Sequence, residues 1–458
     1  MTSPALQGRR TQSGRSQSRQ PRDWRPQSWR RYPAGQQPPW PDYRAARAVL
    51  ARIRELPGLV SAQECGALLD RLGQVAAGQA FLIQGGDCAE TFDALSAIGL
   101  NSRCRLLISM SHTVTGQCGL DSVIVGRVAG QYAKPRSAAA EQVTAGGVTA
   151  TVSSYRGDMI NAAAPDPAGR QPDPARMLTA YFHAAAAVNA LRIRPVSEPV
   201  VYTSHEALTL GYEEALARFD WDDDHRADGQ WYGSSGHLLW AGERTRDPGG
   251  AHIHFLSGLA NPVAVKIGPT ATPAEVLEVC DVLNPARVPG RLSLITRLGA
   301  GAVTAVLPPL VRAVTTAGHP VVWVCDPMHG NTRRTKTGYK TRDVAAVLAE
   351  IRGFFAVHRA FGTHPGGIHL ELAGEHVTEC VGGIASPVAE DQVPRRYHTA
   401  CDPRLSPAQA LECAAVVAAE LSASRALCRI WEECRSRKLS ALRILPDIAE
   451  RNPPKPAC

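Results

Sequence analysis

The chain has 458 residues, 44% hydrophobic and 20% charged, which is enough for one large or two average domains with a sizeable core. No apolar run reaches the ~18 residues that a membrane-spanning helix needs. The formal net charge is +8, but residues 1–31 hold eight Arg and one Asp, so the rest of the chain is close to neutral. This distribution argues against a nucleic-acid-binding body, which would interleave basic and aromatic residues.

Residues 1–37 are predicted to form a disordered basic tail, because Ser, Gln, Arg and Pro dominate there. The alternatives are a role in binding nucleic acid or an anionic surface, and a role as an organellar transit peptide. No apolar segment follows Arg9 and Arg10, which argues against a secretory signal. We expect a cytoplasmic protein, or a plastid one if the tail is a transit peptide.

After the tail, residues 38–80 read as an N-terminal helical extension, and residues 81–422 show a repeating pattern of short apolar runs and helix-like stretches. Eight such runs occur, at 81–84, 122–128, 199–203, 237–241, 261–267, 291–296, 320–325 and 367–372. Continuous apolar runs are typical of parallel strands covered on both faces. The pattern predicts an α/β fold, a (β/α)₈ TIM barrel with extra helices.

The intervening helices are predicted at 173–192, 204–218, 272–283, 301–317 and 342–359, followed by a helix beginning at Ser406-Pro407. Residues 423–458 are expected to be a peripheral C-terminal segment.

Four strong metal-ligand candidates lie on separate stretches of the chain: Cys88 in DCAE, His329 in PMHGN, Glu371 in HLELAGE and Asp402 in ACDPR. A barrel gathers the carboxyl ends of its strands around one mouth, so these residues are expected to meet there. The twelve cysteines form neither a zinc-type CxxC pair nor a compact disulfide framework. A thiolate, an imidazole and two carboxylates together favour a divalent transition metal.

Isolated cations lie at or just after other strand ends and predict an anion site beside the metal. They are Arg127, Lys134, Arg244, Lys266 and Arg297, with Glu243 next to Arg244. Charges that interrupt apolar strand ends are rarely left unpaired, and Arg and Lys suit phosphate and carboxylate. The alternative is that these residues form surface salt bridges. The combination points to metal-assisted chemistry on a sugar phosphate or an enol phosphate.

Several longer strings, among them GGDCAETF, GRVAGQYAKPRS, CDPMHGNT, THPGGIHLELAGEHVTEC and YHTACDPRLSPAQALE, resemble class II 3-deoxy-D-arabino-heptulosonate 7-phosphate (DAHP) synthase. This is the plant and microbial type of the first shikimate-pathway enzyme, and the resemblance covers about residues 38–422. It implies a decorated (β/α)₈ barrel that condenses phosphoenolpyruvate with erythrose 4-phosphate. It also implies a homo-oligomer, without nucleic-acid or membrane partners.

By motif, the resemblance assigns the metal ligands to Cys88, His329, Glu371 and Asp402, with Mn²⁺ expected and Co²⁺ or Fe²⁺ as alternatives. It assigns phosphoenolpyruvate contacts to Arg127, Glu243, Arg244, Lys266 and Arg297, and places Lys134 near erythrose 4-phosphate. Lys134, Glu243, Lys266 and His329 are the expected catalytic residues. The chemistry implied is attack of the enol carbon on the aldehyde, then addition of water and loss of phosphate by C–O cleavage.

One departure from the family concerns regulation. Between Arg194 and the strand at 199–203, relatives carry a longer helical segment associated with aromatic amino-acid control, whereas only RPVSEPV is present here. We therefore expect an enzyme that serves specialised metabolism. An aminoDAHP synthase, which uses an imino or amino analogue of erythrose 4-phosphate for antibiotic synthesis, is the alternative enzyme. A catalytically silent scaffold is a further alternative, but none of the expected ligands or cations is missing.

A redox hypothesis follows from Cys401, which immediately precedes Asp402. A shared metal site would bring Cys401 close to Cys88. If the two Cα atoms lie within ~7 Å, a disulfide is sterically possible, and it would remove a metal ligand.

Overall fold

The computed structural model describes residues 23–145, 148–220 and 229–436. Eight parallel strands close into a barrel in which each strand pairs with the next along the chain and the last pairs with the first. The barrel strands are β1 (Ala80–Gly86), β2 (Asp121–Arg127), β3 (Val201–Glu206), β4 (Leu238–Ala241), β5 (Val263–Ile267), β6 (Leu292–Thr296), β7 (Val322–Cys325) and β8 (Gly367–Glu371). The predicted (β/α)₈ barrel is confirmed, and each of the eight apolar runs overlaps one of its strands.

Among the described residues, two α-helices precede the barrel and one α-helix follows each barrel strand. They are α1 (Tyr43–Glu55), α2 (Ala62–Ala76), α3 (Ala97–Cys118), α4 (Ala175–Arg192), α5 (Leu210–Ala215), α6 (Ala251–Ser257), α7 (Pro273–Leu283), α8 (Val303–Thr316), α9 (Val344–Phe361) and α10 (Pro407–Ser436). At the start of α7, Thr272 and Glu275 form a reciprocal capping box with Pro273 at the first helical position. The helix predicted over 204–218 is shorter than expected, because residues up to Glu206 extend β3.

Helix α2 closes the amino-terminal end of the barrel. Its Leu68, Leu72 and Val75 are buried in one cluster with inward-facing strand residues such as Val123 and Leu238, near the start of their strands. A capping box between Ser61 and Glu64 fixes where α2 begins. The carboxyl end of the barrel is therefore the open end, where a site can form.

The predicted boundary of the basic tail at residue 37 is wrong for the part that the structure describes. Trp24 is only 2% exposed, its Nε1 donates to the carbonyl of His254, and Trp29 Nε1 donates to Glu214. Burial of two large aromatic rings outweighs the polar composition around them. Residues 1–22 of the predicted tail lie outside the described residues, and α1 and α2 form the predicted 38–80 extension.

The predicted boundary after residue 422 does not interrupt the structure either, because α10 continues to Ser436. Residues 437–458 lie outside the described residues. Among the helices that the structure describes, none is both long and apolar enough to span a bilayer.

In the part of the chain that the structure describes, three antiparallel strand pairs lie outside the barrel. They pair Ala140–Ala145 with Val148–Ser153, Ala217–Asp220 with Gln230–Gly233, and Thr332–Arg334 with Lys340–Arg342. The first and third contribute residues to the wall of the cavity at the carboxyl end.

Candidate active site

Three of the four predicted metal ligands converge at the carboxyl end of the barrel. Glu371 ends β8, Cys88 follows β1, and Asp402 lies in the loop before α10. Strand register explains the first meeting, because Glu371 pairs with Gly86, two residues before Cys88. Ligand atoms of Cys88, Glu371 and Asp402 all lie within 4.8 Å of one another.

His329, the fourth predicted ligand, lies beside this trio and not within it. Its Nε2 is 3.1 Å from Glu371 Oε1, and its Nδ1 is 2.8 Å from Asp326 Oδ2. Burial opposes ionisation of Asp326, but the charges of His329 and Lys266 hold the pKa of its carboxyl well below the usual range. Asp326 therefore accepts from both neighbours as an anion and orients the imidazole.

Two lysines contact Asp402. Lys134 Nζ bonds both Asp402 Oδ2 and Cys88 Sγ, and Lys340 Nζ lies 2.8 Å from Asp402 Oδ1. Burial opposes ionisation of Asp402, but the charges of Lys134 and Arg342 keep the pKa of this carboxyl well below its usual value. Lys134 thus lies directly on the candidate metal ligands, at the boundary between them and the cavity.

Arg342, from the hairpin after β7, holds Glu371 from the other side. The guanidinium is fully buried, its Nη1 lies 2.7 Å from Glu371 Oε2, and it also donates to the carbonyl of Pro403. Burial opposes ionisation of Glu371, but His329 and Arg342 keep the pKa of this carboxyl well below its usual range. One arginine therefore connects the ends of two ligand-bearing segments.

A second ion-pair network connects the Cys88 and Asp402 loops. Asp87 bonds Arg103 and lies 2.7 Å from Arg404 Nη1, while Arg404 is also bonded to Glu379. These groups are buried among themselves, so each charge has a partner. The network fixes the separation of the two loops without contributing to the cavity.

Cys401 lines the cavity together with the candidate ligand Cys88. Burial and the Cys401 thiol raise the pKa of Cys88, whereas the Cys88 thiol lowers the pKa of Cys401. Both thiols are free in the structure. The disulfide of the redox hypothesis stays a prediction.

Arg127 ends β2, Lys266 is the second-last residue of β5, and both side chains face the indole of Trp240. Their charged groups lie 5.3 and 6.0 Å from its ring centroid. Lys266 Nζ is 2.8 Å from Asp326 Oδ2, but burial still lowers the pKa of Lys266. Arg127 Nη2 donates to the carbonyl of Cys88 at 3.0 Å, which places it between the ligand trio and the cavity.

The imidazole of His369 contacts the guanidinium of Arg127 and orients it. Its Nδ1 is 2.8 Å from Gln84 Oε1 and its Nε2 is 2.5 Å from Arg127 Nη1. Burial and the nearby charges of Lys266 and Arg127 lower the pKa of His369 strongly, so the ring is neutral. The contacts assign the proton to Nδ1, leaving Nε2 to accept from the guanidinium.

The other predicted anion-binding residues lie around the same opening. Arg297 Nη2 is 3.3 Å from the carbonyl of His329, and Arg244 is exposed, with its Nη2 3.3 Å from Ser137 Oγ. Glu243 lies 3.2 Å from Arg246 Nε, so its charge is balanced outside the cation cluster. Neither Arg244 nor Arg297 forms an ion pair within the described ranges, which leaves both available to a ligand.

One cavity of about 800 Å³ is lined by all ten predicted site residues. They are Cys88, Arg127, Lys134, Glu243, Arg244, Lys266, Arg297, His329, Glu371 and Asp402. Motifs more than 300 residues apart in sequence thus share one wall. The cavity can hold a small molecule that carries several negative charges.

The sequence reasoning missed Glu206, a buried carboxyl in the same wall. Its Oε1 has no hydrogen-bond partner within the described chain, and burial raises the pKa of this carboxyl even though Lys266 and Lys134 oppose the effect. Glu206 ends β3, so the strand-end rule that identified Lys266 could also have found it. The sequence reasoning also missed Trp240, the second-last residue of β4, to which the strand-end rule applies as well.

Comparison with known proteins gives a consistent result. The model of the class-II DAHP synthetase family matches residues 24–198 and 193–418. The two matched ranges overlap at residues 193–198, next to the connection that the sequence analysis identified as shortened. In the described structure this connection joins α4 to β3.

Two curated relatives are similar over most of their length. The phospho-2-dehydro-3-deoxyheptonate aldolase AroG of Mycolicibacterium smegmatis is 41% identical over 436 residues, covering 84% of this chain and 92% of that protein. The phospho-2-dehydro-3-deoxyheptonate aldolase of Streptomyces coelicolor is 42% identical over 436 residues, covering 84% and 95%.

Among solved structures, a truncated 3-deoxy-D-arabino-heptulosonate 7-phosphate synthase from Thermotoga maritima is 15% identical, with a TM-score of 0.34 and coverage of 77% of this chain and 88% of that one. That similarity is too low to support an argument. The family model and the two curated relatives are sufficient: the chain belongs to the class-II DAHP synthetase family.

Proposed function

We propose that the protein is a DAHP synthase that condenses phosphoenolpyruvate with erythrose 4-phosphate to give DAHP and phosphate. The observation that carries this proposal is one cavity in which a Cys/Glu/Asp trio, an adjacent histidine and the five predicted cations meet. Both expected substrates are phosphorylated, and phosphoenolpyruvate also carries a carboxylate. A cation-lined cavity of this kind suits two such ligands.

The ligand residues fit a divalent transition metal. Ligand atoms of Cys88, Glu371 and Asp402 are close enough to share one ion, and His329 Nε2, 3.1 Å from Glu371 Oε1, is the candidate fourth donor. The mixture of soft and hard donors agrees with Mn²⁺, Co²⁺ or Fe²⁺. A bound ion of this kind polarises an aldehyde oxygen as a Lewis acid.

The cations of the cavity would hold phosphoenolpyruvate with its enol carbon facing the aldehyde. Arg127, Lys266 and Arg297 surround the part next to Trp240, and the exposed Arg244 can close on the phosphate from the rim. Fixed cations lower the cost of bringing two anionic substrates together and stabilise charge on the departing phosphate. Glu243 forms an ion pair with Arg246, which lies outside this cluster.

Lys134 and Glu206 would act on the second substrate and on water. Lys134 Nζ lies on Cys88 and Asp402, so it can donate to an aldehyde-derived oxygen formed beside them. Glu206 has a free oxygen and lies near Lys266, so it can hold the water that adds to the cationic carbon. Addition of that water gives a tetrahedral centre, from which phosphate leaves by C–O cleavage.

The finer expectations also remain proposals. We propose a role in specialised metabolism from the shortened connection between α4 and β3, and a homo-oligomer from the family resemblance. The comparisons name DAHP synthases and give no support to the aminoDAHP alternative.

An assay with two candidate acceptors tests the proposal. Phosphoenolpyruvate is supplied with erythrose 4-phosphate and, separately, with its imino or amino analogue, while phosphate release and product mass are followed. We expect turnover of erythrose 4-phosphate, lost in His329→Ala. Turnover with the nitrogen analogue alone would establish an aminoDAHP synthase, and no turnover with either would favour a scaffold.

A further inference from the structure

A buried carboxylate outside the cavity connects two of its loops. Glu350 lies on α9, is 1% exposed, and does not line the cavity. Its Oε1 accepts from the backbone N–H groups of Leu298 and Gly299 at 2.9 and 2.8 Å, and its Oε2 accepts from Asn331 Nδ2 at 2.7 Å. Leu298 follows Arg297 directly, and Asn331 lies two residues after His329.

The loop that carries Arg297 and the loop that carries His329 also contact each other directly. Asn331 Oδ1 accepts from the N–H of Ala300 at 3.0 Å, and Arg297 Nη2 donates to the carbonyl of His329. Gly299 has φ +88°, and a side chain at Gly330 would place its Cβ 2.3 Å from Gly299 N. The backbones are therefore in close contact, and a shift of one loop moves the other.

Retaining a carboxyl at this point is costly. Within residues 23–145, 148–220 and 229–436, no lysine or arginine forms an ion pair with Glu350, and burial raises the pKa of this carboxyl to about 7 although the two backbone N–H groups oppose the effect. A glutamine could accept the same two backbone bonds, but its Nε2 would face the amide nitrogen of Asn331. The arrangement needs two acceptor oxygens, which only a carboxylate supplies.

We propose that Glu350 is a positioning residue that holds the Arg297 loop and the His329 loop in one fixed arrangement, so that the phosphoenolpyruvate and metal subsites form together. This inference rests on the proposed function, because it assigns Arg297 to phosphoenolpyruvate and His329 to the metal. Glu350 itself touches neither. Displacement of a positioned group by about 1 Å is enough to cost on the order of 100-fold in rate.

The test compares Glu350→Gln with Glu214→Gln, a matched control at another buried carboxylate. Glu214 bonds Trp29, Arg30 and Arg54 near the N-terminus and does not line the cavity. Mn²⁺ affinity is measured by titration calorimetry, the KM for phosphoenolpyruvate and kcat by phosphate release, and Tm by scanning calorimetry.

We expect Glu350→Gln to weaken Mn²⁺ binding and raise the KM for phosphoenolpyruvate together, each by about tenfold or more. Glu214→Gln should lower Tm without changing either constant. If Glu350→Gln does not fold, Asn331→Ala breaks the same bridge from the half-buried side and should give the same paired losses.

A lower Tm in Glu350→Gln with wild-type Mn²⁺ affinity and KM would overturn the positioning role and leave the proposed function intact. A wild-type protein that neither binds Mn²⁺ nor turns over the substrates would overturn both, because there would be no subsites to position. The two failures are therefore distinguishable.

Discussion

At the scale of single residues, the sequence motifs selected residues that share one cavity, but not the contacts between them. Cys88, Glu371 and Asp402 could be grouped from the sequence because each lies in a distinctive peptide, the first two at or just after a strand end, whereas the position of His329 beside Asp326 depends on loop geometry. Arg342 was missed because it lies in a strand of three residues, too short to give a periodic signal. Its role is visible only in the folded chain.

Arg342 offers a test of the ligand geometry. Arg342→Gln removes the guanidinium 2.7 Å from Glu371 and leaves that buried carboxylate poorly paired. Breaking a buried pair costs roughly 3–5 kcal/mol, so we expect a lower Tm together with Mn²⁺ affinity reduced by about tenfold or more. Titration of Mn²⁺ by calorimetry measures the second effect.

Arg291→Gln is the matched control for Arg342→Gln. Arg291 is equally buried but donates to the carbonyls of Asn261 and Leu256, away from the ligands. Its variant should lose stability and keep its Mn²⁺ affinity. Equal metal affinity in both variants would show that Arg342 does not position Glu371.

The Cys88–Cys401 pair predicts sensitivity to oxidants. Diamide can accept the two electrons and two protons released when the thiols form a disulfide, and Cys88 would then no longer be a ligand. We expect wild-type protein to lose bound metal and activity under diamide and to recover both with dithiothreitol. Metal content is followed by elemental analysis.

The control for this redox prediction is Cys401→Ser, which keeps Cys88 but removes its partner. It should retain metal under the same treatment. Wild-type protein that keeps its metal under diamide would exclude the disulfide, and loss of metal from Cys401→Ser would identify direct oxidation of Cys88 instead.

At the scale of secondary-structure elements, strands and long helices were predictable and short elements were not. Continuous apolar runs gave all eight barrel strands, and the Thr272-Pro273 pair gave the start of α7. The helix expected over 204–218 was reduced to α5 because polar Ser204, His205 and Glu206 remain in the barrel wall. The burial of Trp24 was missed because composition was averaged over a polar tail.

Helix α2 is the element whose packing can be tested independently of the site. Leu72 is fully buried against inward-facing residues at the amino-terminal end of the barrel. Leu72→Ala should lower the free energy of unfolding by about 2–5 kcal/mol through lost burial and a residual cavity. Urea unfolding followed by circular dichroism gives this value.

Leu72→Met nearly conserves volume and is expected to cost less than about 1.5 kcal/mol. Because α2 lies at the end of the barrel opposite the cavity, neither Leu72 variant should change the KM for phosphoenolpyruvate at temperatures where it is folded. Equal stability of Leu72→Ala and wild type would mean that α2 does not close the barrel.

At the scale of the whole molecule, buried histidines predict loss of stability in mild acid. Burial lowers the pKa of His237 and His252 to about 4 and that of His358 to about 3, from 6.5. Between pH 6.5 and 4 the unfolded chain therefore binds protons that the folded chain does not, so stability falls as the pH decreases. Each histidine contributes on the order of 1–3 kcal/mol to this loss.

Urea unfolding at a series of pH values from 7 to 4.5 measures the dependence. His358→Gln keeps a polar side chain beside Thr363 but cannot titrate, so its stability should fall less steeply than that of wild type. Identical slopes for the two proteins would show that His358 becomes protonated in the folded state.

The central claim for the whole molecule is a metal-dependent condensation in one cavity. The most direct measurement is DAHP formation from phosphoenolpyruvate and erythrose 4-phosphate by metal-stripped protein, before and after addition of Mn²⁺, with Glu371→Gln in parallel. We predict no product without metal, recovery on addition of Mn²⁺, and little recovery in Glu371→Gln. Full turnover by the stripped wild-type protein, or by Glu371→Gln, would contradict the assignment of the site.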